Sequence, residues 1–146
     1  MNSGSDDWEG FWIGQQPTLT LRIVYIGPTG LPDEGWHQFL AEATAGGFNA
    51  RFKFESLLDA FEDFGVQVRL MYDSLNGAAN FESTESNVAI NATIDKFGHV
   101  SWTVVLRSGD ADSPELKFNL EQDQTLLFNV ASKIDEMLFA LHPGSR

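Results

Sequence analysis

Two runs of alternating residues joined by a short turn fill residues 86–108, SNVAINATIDKFGHVSWTVVLRS, and they limit what this chain can fold into. In the first, Val88, Ile90, Ala92 and Ile94 fall on one face and Ala89, Asn91, Thr93 and Asp95 on the other, the period of two of a half-buried strand. In the second, Val100, Trp102, Val104 and Leu106 oppose Ser101, Thr103, Val105 and Arg107. With Asp95-Lys96-Phe97-Gly98 as the turn, both apolar faces point the same way, so the pair reads as a β-hairpin. A two-stranded ribbon is marginal in water by itself, and its dry face must be covered by another part of the chain.

The cover comes from two helical patterns. Leu57, Phe61, Phe64, Val68, Met71 and Leu75 recur at steps of four and three, with Ser56 and Asp59 as a loose capping box and Asn76-Gly77 as the stop. Six large side chains at ~1.5–3 kcal/mol each yield on the order of 10 kcal/mol when buried. Ordering about twenty residues costs more, at ~1 kcal/mol or more each. This helix must therefore dock on a larger apolar surface. A coiled-coil homodimer seam is the alternative use of the stripe, interrupted by Gly65. In the second helix Asp123 is the cap, Leu127, Val130, Ile134, Met137, Leu138 and Leu141 form the stripe, and His142-Pro143-Gly144 is the end.

Further alternating stretches run from Thr18 to Ile26, from Phe48 to Phe54, around Ala78 to Phe81 and through Leu116, Phe118 and Leu120. Val24 and Ile26 suggest that the far end of the first is buried on both sides. The segment from Trp36 to Thr44 completes a hairpin across Gly46-Gly47, although its AEATA portion also suits a helix. The expected fold is α+β, one antiparallel sheet of about six to seven strands with two amphipathic helices on one face. A single domain over residues 10–146 follows a disordered N-terminus at 1–9, with no repeat or linker dividing it.

Composition removes several classes of function. The chain has no cysteine, which excludes disulfide scaffolds, Cys-ligated zinc and thiol catalysis. Its acidic N-terminus lacks a signal-peptide pattern, and no run approaches the ~18 apolar residues of a membrane span, so a soluble cytoplasmic chain is expected. The formal net charge of -12, from 21 acidic and 9 basic residues, disfavours nucleic acid and anionic membranes and would steer a basic partner. The same acidity also serves solubility. His37, His99 and His142 lack metal-ligand spacing, and Asp110-Ala111-Asp112 begins like a calcium loop without the later ligands. No nucleophile, metal or phosphate-binding constellation is present, so no enzyme activity, cofactor or metal is expected.

The candidate partner-binding residues are therefore acidic and aromatic. Asp59, Glu62 and Asp63 share one helical face beside the apolar stripe, with Asp73, Glu82 and Glu85 as outliers. Proximity to a helix N-terminus explains such carboxylates without a partner; a docking patch for a basic protein is the second reading. Trp8 and Trp12, with Phe11, either pack onto the domain or form an exposed interaction site.

From Gly46 onward, about two thirds of the chain, the order of motifs resembles the WapI-type immunity family of bacterial polymorphic-toxin systems. The cues are the Phe-rich strand GGFNARFKFES, Tyr72, Leu75 and Gly77 at the end of the first helix, the Gly98-His99-Val100 turn, and Asp123-Gln124-Thr125 opening the last helix. The resemblance implies a small cytoplasmic protein that binds and neutralises a cognate toxin domain, often a nuclease. It carries over no binding residues, because the shared positions are of a structural kind. A small apolar-ligand carrier, with a Phe-lined cavity between helices and sheet, is the alternative from the residues alone.

Overall fold

A computed structural model describes residues 10–16, 19–29, 35–109 and 113–141. The elements in order are β1 (Phe11–Gln16), β2 (Leu19–Pro28), β3 (Trp36–Ala45), β4 (Phe48–Leu57), α1 (Leu58–Ser74), β5 (Ala78–Glu82), β6 (Val88–Ile94), β7 (His99–Arg107), β8 (Glu115–Asp123) and α2 (Thr125–Leu141). The α+β class is as expected, but the strands divide into two four-stranded antiparallel sheets, ordered β1-β2-β3-β4 and β5-β6-β7-β8. Each sheet is a meander of neighbours in sequence. Where α1 intervenes, the first meander ends at β4 and a second begins at β5.

The Phe11–Trp12 segment is itself a strand, with Trp12 opposite Arg22. AEATA also becomes strand, because β3 lies between β2 and β4 and turns Ala41, Ala43 and Ala45 into the core. At the β3–β4 turn Gly46 and Gly47 both have positive φ, 58° and 93°, as a two-residue type I′ hairpin requires. The hairpin of β6 and β7 forms as expected, with both apolar faces on one side: Ala92 faces Trp102 and Ile90 faces Val104.

Several local expectations are revised. Ser56 does not cap α1: it stays in β4 opposite His37, is fully buried, and its Oγ donates to the Leu57 carbonyl at 3.0 Å. Leu57 ends that strand, and Leu75 is the left-handed C-cap, 37% exposed, so neither belongs to the buried stripe. Ile26 is exposed rather than buried, because it is the extra residue at the register shift between Tyr25 and Gly27. By contrast, Asp123 does cap α2, its Oδ1 accepting the Thr125 N–H at 2.9 Å. Residues 1–9, including Trp8, Asp110-Ala111-Asp112 and His142-Pro143-Gly144 lie outside the described residues.

The core is continuous from sheet to sheet. Phe61 of α1 stands near its centre, 4.5 Å from the ring centroids of Phe39 and Phe81 and 6.3 Å from Phe11, so one side chain touches both sheets. The stripe of α1 is thus spent inside the molecule, not on a coiled-coil seam. The helices run antiparallel: Gly65 lies against Ile134, and Tyr72 meets Phe128 at 5.8 Å. A Cβ at Gly65 would approach Ile134 Cγ2 to 3.2 Å, and the absence of a side chain there lets the helices close.

This architecture repeats, although the sequence does not. Four strands and a 17-residue helix occur twice. Every buried residue of α1 from Phe61 onward has a buried counterpart 66 positions later: Phe61 and Leu127, Phe64 and Val130, Gly65 and Ala131, Val68 and Ile134, Met71 and Met137. The helix of each half packs on the first strand of the other, α1 on β5 and α2 on β1. The halves are related by a pseudo-two-fold, and the Arg69–Asp135 ion pair between the helices joins two equivalent positions.

Candidate partner-binding surface

With the inner faces consumed by the core, recognition falls to three outer surfaces. On the first sheet, Trp12, Arg22, Glu42 and Arg51 lie in one row across all four strands. The Arg22 guanidinium sits 5.1 Å from the Trp12 ring centre and 3.4 Å from Glu42, which also takes Arg51 at 2.9 Å. Trp12 is 49% exposed while Phe11 beside it is buried, because adjacent strand residues face opposite ways. Its ring is already covered in part by Arg22, so this row satisfies itself.

On the second sheet, Asn80, Asn91, Thr103 and Asn119 form a neutral row. Asn91 donates to Asn80, and the Thr103 hydroxyl donates to Asn119 Oδ1 at 2.9 Å. The Asn80 N–H donates to Gln67 Oε1 at 2.7 Å, tying the edge strand β5 to α1. Glu82 ends β5 and accepts from the Ser86 hydroxyl; Glu85 lies in the next turn, beside a cleft shared with Lys53 and Asn87. Glu82 thus stands on the strand that packs against α1, and Glu85 on the turn that follows it.

The third surface is the helix pair. Asp59, Glu62, Asp63, Val66, Leu70 and Asp73 are all exposed, and at 100° per residue they occupy a roughly 100° arc of α1 opposite its buried stripe. Among the described residues no lysine or arginine pairs with Asp59, Glu62, Asp63 or Asp73; Arg69 is engaged by Asp135 instead. Only Asp59 belongs to the first turn of the helix. The helix dipole, which fades beyond one turn, therefore does not account for Asp73. Beside the carboxylates runs an open groove of about 380 Å³ between α1 and α2, with Val66, Leu70 and Leu138 as its apolar walls and Glu62, Asp73 and Asp135 on its rim.

Val66 and Leu70, 56% and 61% exposed, did not stand out in sequence. The signal was there: they are the large aliphatic residues of α1 left off its buried stripe, four residues apart.

The described residues hold no group of three or more His, Asp or Glu placed to bind a metal. No helix of the described chain is long and apolar enough to cross a membrane. The family model of immunity protein WapI-like proteins matches residues 11–141, from the first residue of β1 to the last of α2. The chain belongs to the immunity protein WapI-like family. The match includes β1 to β3, where the sequence motifs were weak. No match to the chain was found among curated proteins. Membership of this WapI-like family makes an immunity role, and hence a toxin as the general partner, the functional frame for the surfaces above.

Proposed function

We propose that this WapI-like chain is a non-enzymatic inhibitor that acts in the cytoplasm by binding a cognate toxin domain and covering its working face, the toxin being a basic protein such as a nuclease. The observation that carries this reading is the run of four carboxylates on the outer face of α1, Asp59, Glu62, Asp63 and Asp73, which no lysine or arginine among the described residues pairs, in a protein of net charge -12. A nuclease presents a positive surface to its substrate, and a complementary acidic face speeds encounter with it and fixes orientation. A cation left unpaired on the toxin would complete the carboxylates.

The test is a search for a toxin-like open reading frame beside the gene for this chain, followed by co-expression of the two. Wild type should restore growth and co-purify with the toxin, and Asp59→Lys/Glu62→Lys/Asp63→Lys should slow association by about tenfold or more at low salt. Failure of the wild-type chain either to protect or to bind would end the proposal. The alternative, an apolar-ligand carrier, has the interior against it. Phe11, Phe39, Phe61, Phe64 and Phe81 fill the space between helices and sheets with ring centroids 4.5–6.3 Å apart.

A further inference from the structure

The pseudo-two-fold separates what the fold requires of a helix from what it does not. Counterparts in the buried stripe are apolar or small on both helices, as core packing demands. The counterparts of exposed Val66 and Leu70 are Ser132 and Glu136. One half therefore folds with polar residues at the positions where the other displays a valine and a leucine, and the fold gives no reason for the apolar pair. Exposed apolar residues rimmed by polar groups mark interaction surfaces.

The groove beside them adds dimensions. Glu62 and Asp73 stand at its two ends, eleven residues apart on α1, or about 16 Å, which is three turns of helix. Between them Val66 and Leu70 line the groove together with Leu138 of α2. Among the described residues Arg69 is the one cation lining it, and it is held by Asp135, so the rim keeps a negative excess. Resting on the toxin-binding reading above, we propose that this groove receives one amphipathic helix of the toxin domain. That helix carries apolar side chains at i and i+3 or i+4 in its middle turn and a lysine or arginine about three turns apart at each end. The apolar centre anchors the complex and the end cations set its register, as desolvated anchors and rim charges do elsewhere.

The experiment measures binding of the full chain to the toxin domain that the co-expression test identifies, inactivated in its own active site, across a salt series. Val66→Ser/Leu70→Ser keeps every charge. It should raise Kd about tenfold or more through faster dissociation, with the salt dependence unchanged. Glu62→Gln/Asp73→Asn keeps the apolar floor and should slow association and flatten the salt dependence. Both variants alter exposed positions and should keep the wild-type circular dichroism and melting temperature. Trp12→Ala, on the first sheet, should bind as wild type. Binding of Val66→Ser/Leu70→Ser within twofold of wild type would overturn the groove and leave the immunity reading standing, and loss of binding in Trp12→Ala alone would move the contact to the sheet. A wild-type chain that does not bind overturns both.

Discussion

At the scale of single residues, Asp95 shows how a turn can be decided by one side chain. Its Oδ1 accepts the backbone N–H groups of Phe97 at 2.9 Å and His99 at 3.0 Å, closing the loop between β6 and β7. The His99 N–H foremost, then that of Phe97 and the charge of the neighbouring His99 ring, hold the carboxyl below its ordinary value of 3.8. A pKa lower in the folded state means that the ionised group supports the fold above pH 3.8 and that this support disappears as pH falls through the lower folded value. Asp95→Ala should therefore melt below wild type at pH 7, with the gap narrowing as pH falls below 3.8 in a series of thermal melts. This turn was readable in sequence because its partners are within four residues. The Ser56 cap was misleading for the opposite reason: pairing with His37, nineteen residues earlier, keeps Ser56 in the strand.

At the scale of elements, α1 has one face for the core and another for solvent, and the two were not equally legible. Phe61, Phe64, Val68 and Met71 are buried as their spacing predicts, since the 3.6-residue period reports one face directly. Gly65, read as a break in a seam, is a point of helix contact instead. Truncating Phe61→Ala removes the ring that meets Phe11, Phe39 and Phe81 and should cost ~3–5 kcal/mol in urea unfolding, the range for a large aromatic lost from a packed core. Phe128→Ala, which removes a half-exposed ring that touches Tyr72 at the rim, should cost well under half of that.

At the scale of the whole molecule, the halves exchange their supports: α1 lies on β5 of the second half and α2 on β1 of the first. Neither half can bury its own helix without the other. Unfolding in denaturant should accordingly be one transition, with tryptophan fluorescence and far-ultraviolet circular dichroism changing together; two resolved transitions would mean that the halves fold independently. By itself the sequence determined the α+β class, the strand alternation, the helix stripes and the acidity, because each depends on neighbours within a few residues or on composition. The WapI-like family was legible through turn and cap motifs of the same local kind. Only the tertiary structure decided that α1 splits the strands into two sheets and that the helices meet at Gly65 and Ile134. It alone set Val66 and Leu70 beside Leu138 in one acidic-rimmed groove. Those outcomes rest on contacts between segments some seventy residues apart, where the pairing of surfaces, not local periodicity, sets the free energy.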